Sequence, residues 1–448
     1  MADSELTRDM VLKRDIPWET YLTAKLITTK DLTLLRRYDH RRPEQQATLL
    51  DDNGVAYVGV FVGILSEITK QDTVEYVLAM IDEMLSANPT RARLFHDKTL
   101  EGEDVYGTFL KLLSKRKWFI QEMSCKILTL IISARPEEPQ TVVPDRNGKQ
   151  AISDFDKILG GLVEWLSDQL RHPDHPTRAT PTAVSSLATL LRERQVRSLF
   201  VKAGGVEPLA DLVAPATNQQ YIQLLYEATL SVWLLTFYDL AVEALTEAKV
   251  VPRLVEVVKA STKEKVARVA LMSLKNLVKK GSFGSELIAL GFPKILQNLR
   301  LQAWNDEDLN QALDMLESTL KDNAKELNSF DTYKMEVTTG HLDWTPVHKD
   351  PVFWKENCKK FEENDYELLR ILIATLETSS DPKSLAVACN DISQFIGNHP
   401  SGRGIISDLK AKERIMQLMA NDNPDVAREA LLCVQKILLS AKYVSYMQ

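Results

Sequence analysis

Glycine is scarce in this chain, at 17 of 448 residues, and alternating β-branched runs are rare. Both shortages leave a strand-rich fold little to build on. Cysteine is scarcer. Cys125, Cys358, Cys389 and Cys433 lie far apart and form no CxxC pair, which points to free thiols in a reduced, cytosolic setting. Basic charge is not in excess. Lys and Arg number 55 against 62 Asp and Glu, for a net charge of −7, so no nucleic-acid partner is expected. No run of about 18 apolar residues occurs, so no direct membrane insertion is expected. The start, "MADSELTRDMVLKRDIPWETYL", is charged, lacks an apolar core and does not read as a secretory signal.

Signatures of catalysis are missing too. "NGKQ" at 147–150 lacks the first glycine and the Ser or Thr of a phosphate-binding loop. "SGRG" at 401–404 is too short for a dinucleotide fingerprint and reads as a helix-ending turn. There is no HExxH and no GxSxG. "RHPDHPT" brings His172, Asp174 and His175 together, but two prolines and no helix to fix the ligands make it a solvated loop. Acidic pairs such as Glu362 and Glu363 read as solvated helix faces. No catalytic set assembles, and no cofactor or metal is expected.

What the chain does have is helical periodicity. Val426, Ala430, Val434 and Leu438 form one apolar stripe, with Ala427 and Leu431 beside it. Arg428, Glu429, Gln435 and Lys436 take the opposite side, so the spacing predicts an amphipathic helix. Asn423 can cap it and Pro424 suits its first position. The pattern recurs. "EKVARVALMSLKNLV" at 264–278 aligns with "PDVAREALLCVQKIL" at 424–438 without a gap. Ala228, Ala270 and Ala312 are 42 residues apart, as are Ala388 and Ala430. Pro208, Pro252 and Pro293 mark a second helix of the unit at similar spacing. "VEYVLAMIDEML" (74–85), "IQEMSCKILTLII" (120–132) and "TAVSSLATLLRE" (182–193) repeat the first pattern upstream. A period in the low forties, about eight units in all, predicts an all-α armadillo/HEAT-like helical-repeat solenoid. Alanine recurs where a helix must pack on two neighbours, because a larger side chain there would overpack.

The series breaks twice. "ARPEEPQTVVPDRNGKQA" (134–151) is Pro-rich and polar and reads as an inserted loop. Ala312 and Ala388 are 76 residues apart, and the interval includes "NSFDTYKMEVTTGHLDWTPVHKDPVFW" (328–354), where the helical stripe disappears. The expected organisation is therefore an N-terminal repeat domain (1–327), a linker (328–351) and a smaller C-terminal helical-repeat domain (352–448). Trp344 and Trp354 are candidate anchors fixing the second domain's orientation, against simple packing of that domain's first helix.

Solenoids expose extended faces to other proteins. Two basic clusters are candidate contacts for acidic partners: Arg36, Arg37, Arg41 and Arg42 in "LLRRYDHRRPEQQ", and Lys115, Arg116 and Lys117 in "LSKRKWF". A nuclear import receptor would carry tryptophans with asparagine one helical turn later. The seven tryptophans here are followed at that position by Leu, Glu, Gln, Phe, Asp, His and Cys, which weighs strongly against that reading.

Finer detail suggests a family. "IPWETYLTAKLIT", "LLRRYDHRRPEQQATLL" and "TVEYVLAMIDEML" resemble the N-terminal part of the H subunit of the vacuolar-type (V-type) proton-pumping ATPases. The run from "PVHKDPVFWKENCKKFEENDYELL" to "DVAREALLCVQKIL" resembles the same family almost end to end. The resemblance implies a non-catalytic regulatory component of the soluble, ATP-hydrolysing sector, on the cytosolic face of vacuolar and other endomembranes. It implies attachment of the N-terminal domain to the E and G components of the peripheral stalk. It also implies contacts of the C-terminal domain with the cytosolic domain of the membrane-sector a component, or with the catalytic head and rotor. In that role it would couple hydrolysis to pumping and silence hydrolysis in the free sector. A competing class uses the same solenoid as a trafficking adaptor for cargo or coat proteins.

Overall fold

The computed structural model of the protein describes residues 6–100, 102–136, 154–215, 219–280, 283–302, 304–327 and 330–438. Among them every regular element is a helix. The expected inserted loop, 134–151, lies outside the described residues apart from its first three.

The helical spacing translates into burial as the periodicity requires. In helix Glu264–Leu277 the buried side includes Val266, Ala267, Ala270, Leu271, Leu274 and Leu277. The marker alanines Ala228, Ala270, Ala312, Ala388 and Ala430 are each 0 % exposed, so their regular spacing marks helix crossings. Helix Gln71–Ala87 packs on Trp118–Ser133, which packs on Ala179–Leu190, then Gln219–Leu235, then Glu264–Leu277. Each inner helix of this series has a neighbour on two sides, and a small residue lets both approach. The same local device precedes the second helix of several repeats. Gly204, Lys249, Gly291 and Lys410 all adopt positive φ, at 67°, 52°, 69° and 59°, turning the chain into helices Val206–Asp211, Val250–Ala260, Phe292–Arg300 and Lys412–Leu418. The chain is thus an all-α, armadillo/HEAT-like helical-repeat protein.

Helix starts follow the capping chemistry. Asn423 Oδ1 accepts from the Asp425 N–H at 3.0 Å and the Val426 N–H at 3.4 Å, with Pro424 opening helix Pro424–Leu438. Asp381 caps helix Pro382–Asn398 through the Ser384 N–H at 2.8 Å. "SGRG" differs from its expectation. It opens helix Gly402–Asp408 rather than ending one. A Cβ on Gly402 would lie 2.9 Å from Ile396 Cα, so glycine there permits close backbone approach. Leu431 also differs, being exposed where its repeat-mate Leu271 is buried.

Contacts divide the chain into two compact units, Met1–Leu277 and Val278–Gln448. In the first, helix Pro43–Glu67 is long and apolar enough to cross a membrane by length and composition. Its Tyr57, Val58, Phe61, Val62 and Ile64 are buried in the protein core. The second unit corrects the expected linker. From residue 330 the segment forms helix Phe330–Thr339 and the 3-10 turn Pro346–Lys349. Phe330, Tyr333, Val337, Leu342 and Val347 are buried in one cluster with Trp354, Leu372 and Phe395. The sequence lost its stripe there because these elements are short, and not because they lack a core to join. Each large side chain so buried contributes roughly 1.5–3 kcal/mol of transfer free energy, enough to hold the segment in place. Helix Glu307–Leu327, expected in the first domain, groups with this second unit and packs on Phe330–Thr339.

Candidate interaction sites

The first basic cluster spans a helix end and the connector after it. Arg36 and Arg37 occupy the last turn of helix Thr29–Tyr38, where cations complement the carbonyl end of the helix. Arg36 Nη2 and Nε donate to Glu19 Oε1 at 2.6 and 3.1 Å. Both partners are 62 % exposed, so this pair contributes little to stability. Arg41 and Arg42 follow in the exposed connector to helix Pro43–Glu67. The second cluster, Lys115, Arg116 and Lys117, forms the turn between helices Val105–Leu112 and Trp118–Ser133. It rims a groove whose floor includes Leu65, Ile68 and Leu112.

Trp344 and Trp354 pack within the C-terminal unit. Trp354 is 0 % exposed, while Trp344 is half-buried with the Lys349 ammonium 4.3 Å from its ring centroid. The Trp354 ring stacks on Phe361 at 5.4 Å and meets the Tyr333 edge at 5.6 Å, and its Nε1 donates to the His348 carbonyl at 3.2 Å.

That carbonyl belongs to a buried ionic centre not anticipated from the sequence. The His348 side chain is fully buried and meets a carboxylate at each ring nitrogen: Nδ1 lies 2.8 Å from Asp391 Oδ2, and Nε2 lies 3.1 Å from Glu336 Oε1. Tyr333 Oη donates to Asp391 Oδ2 at 3.0 Å, and Asn390 Nδ2 donates to Asp391 Oδ1 at 3.0 Å. Burial alone pulls the His348 pKa down, but Asp391 and Glu336 outweigh it and raise the value to about 9. With acceptors at both nitrogens, the ring is an imidazolium donating to each. Burial pushes Asp391 up, and His348, Tyr333 and Asn390 pull it partly back. Burial likewise opposes ionisation of Glu336, yet His348 and the Asp343 N–H hold it below the usual carboxylate range. The centre ties helix Phe330–Thr339 and turn Pro346–Lys349 to helix Pro382–Asn398. One signal for it was present in the sequence: Asn390 and Asp391 sit inside the apolar run "LAVACNDISQF", where a charge is costly unless paired.

All four cysteines are free and buried. Burial raises the Cys125 and Cys389 thiols to about 11 and about 12, so they behave as inert core residues. Among the described residues no group of three or more His, Cys, Asp or Glu is placed to hold a metal.

Fold and surface together define a helical-repeat protein of the armadillo/HEAT type with two cored units and basic patches on the first. Family models narrow this class. One describing the V-ATPase H subunit matches residues 3–320, and a second of the same description matches residues 326–441. The chain is 57 % identical to the probable V-type proton ATPase H subunit of Oryza sativa subsp. japonica, with all of both chains covered. It is 31 % identical to the V-type proton ATPase H subunit of Drosophila melanogaster, over 95 % of this chain and 88 % of that one. Among solved structures it is similar to an engineered protein, at 16 % identity and a TM-score of 0.48 over 97 % of this chain and 94 % of that one. A designed armadillo repeat protein matches with a TM-score of 0.30 and 15 % identity, over 61 % of this chain and 99 % of that one. The chain belongs to the V-ATPase H subunit family. It is therefore an accessory, regulatory subunit rather than the catalytic one. Other components of that proton pump are its expected partners, in association with a membrane-bound complex.

Proposed function

We propose that the protein couples ATP hydrolysis to proton transport in the assembled pump and inhibits hydrolysis when the soluble sector is free. Family membership across both units carries this reading. The N-terminal unit attaches to the peripheral stalk built from the E and G components. The C-terminal unit contacts the cytosolic domain of the membrane-sector a component in one state and the catalytic head and rotor in the other. A C-terminal unit with its own core, from Phe330 to Val434, supports the reading because a block to rotation must resist deformation. Close-packed interiors do so. Moving between two docking states requires only a few kcal/mol of difference in contact free energy.

The test uses soluble sector stripped of its endogenous copy of this chain. Adding the full chain lowers ATP hydrolysis, and a chain ending at Asn328, which lacks that core, does not. Equal inhibition by both chains overturns the proposal.

A further inference from the structure

We propose that the groove rimmed by Lys115, Arg116 and Lys117 is a docking site for an acidic peptide segment of a partner protein, one that places an apolar side chain on the groove floor. The inference goes beyond the regulatory reading and does not depend on it, because the groove lies wholly within the N-terminal unit.

Four helices build the groove: the end of Pro43–Glu67, the start of Gln71–Ala87, helix Val105–Leu112 and the start of Trp118–Ser133. Its volume is about 710 Å³, room for a few side chains rather than for a whole domain. Leu65, Ile68, Val74, Leu112 and Ile120 give it an apolar floor. The walls are fixed: Thr108 Oγ1 and Ser66 Oγ lie 2.9 Å apart, linking helix Pro43–Glu67 to helix Val105–Leu112. An occupant would meet a preformed surface and lose little to ordering it.

Charge selects the occupant. The lining carries four cations, Lys111, Lys115, Arg116 and Lys117, against two carboxylates, Glu67 and Asp104. Asp104 is already engaged. It caps helix Val105–Leu112 through the Gly107 N–H at 2.9 Å and accepts from Lys111 Nζ at 3.2 Å. Lys115 and Arg116 are exposed and carry no ion pair among the described residues. The N-cap of helix Trp118–Ser133 is Lys117, whose side chain cannot accept a hydrogen bond. The positive end of that helix adds to the rim. On a chain of net charge −7 this is a local positive field, and it complements carboxylates. The apolar floor favours a peptide over nucleic acid, whose backbone would set phosphates and sugars against leucine and isoleucine.

A short fluorescent peptide with a central leucine flanked by glutamates, titrated into the full chain and read by anisotropy, tests this. Saturable binding is expected, weakening roughly tenfold in Lys115→Ala/Arg116→Ala, as for two partly screened charge contacts. Replacing the peptide's leucine by serine is expected to weaken binding by a similar factor. Lys115→Glu/Arg116→Glu should reject the glutamate peptide and accept a lysine-flanked one, while Arg41→Ala/Arg42→Ala should bind as the parent does. Circular dichroism confirms that each variant is folded. The proposal is overturned if the glutamate peptide fails to bind or if its glutamine analogue binds as well. Equal loss in the Arg41/Arg42 pair, or an oligoribonucleotide that displaces the peptide with equal affinity, overturns it too.

Discussion

Asp391→Asn keeps the side chain's volume and removes its charge. Asp391 accepts from Tyr333 at 3.0 Å, Asn390 at 3.0 Å and His348 at 2.8 Å. An amide offers one oxygen to those three donors and turns its own N–H groups towards one of them. His348, fully buried, then keeps only Glu336 as a counter-charge. Breaking a buried pair from one side costs about 3–5 kcal/mol, which in a unit of this size lowers its unfolding temperature by roughly 6–20 °C. Pulsed alkylation of Cys389 and Cys433 along a urea series, read by mass spectrometry, isolates this unit, since both thiols are 0 % exposed in its core. The pH dependence gives a second reading. The folded pKa of His348, about 9, stands above its ordinary 6.5, so the folded state holds the proton more tightly. The resulting stabilisation, on the order of 3 kcal/mol, is complete below pH 6.5 and is lost as pH rises through about 9. The parent C-terminal unit should therefore weaken across that window, and Asp391→Asn should show a much flatter profile. An Asp391→Asn variant within about 0.5 kcal/mol of the parent, or a parent profile flat over the window, refutes the argument.

Two further substitutions test the packing. Gly402→Ala should destabilise the C-terminal unit by about 1–3 kcal/mol, because its Cβ would meet Ile396 Cα at 2.9 Å and the Phe395 carbonyl oxygen at 3.1 Å. Gly404→Ala, with nothing within 4 Å of the added carbon, should be neutral or stabilise by up to about 1 kcal/mol; the same thiol-labelling assay ranks the two, and the reverse order rejects the close-approach account. Ala270→Leu should cost the N-terminal unit about 1–3 kcal/mol by overpacking, read as earlier urea unfolding of the Cys125 site, and an unchanged midpoint removes the marker alanine from the tight crossing.

Much of the fold is legible in the sequence. Alanines 42 residues apart all prove to be fully buried, and Asn423 and Pro424 open their helix as their chemistry requires. The 328–351 segment is the instructive failure. Its Thr, Gly and Pro content resembles a connector, yet Tyr333, Val337 and Val347 are almost wholly buried. A ten-residue helix and a four-residue 3-10 turn are too short to display a repeating stripe. Of the candidate contacts, Lys115, Arg116 and Lys117 could be picked out by composition. That they face Leu65, Ile68 and Val74 could not, since those residues lie more than forty positions away.

Spacing along the chain is enough to set the helical repeat, its period and the small residues at its crossings. Those properties are written in intervals of three, four and forty-two residues, and each helix enforces them locally. Tertiary packing alone brings Glu336, His348 and Asp391 into one buried ionic centre and gathers four cations around one apolar groove. Both depend on which distant segments bury each other, and electrostatic partners are set by distance through space and the water excluded between them.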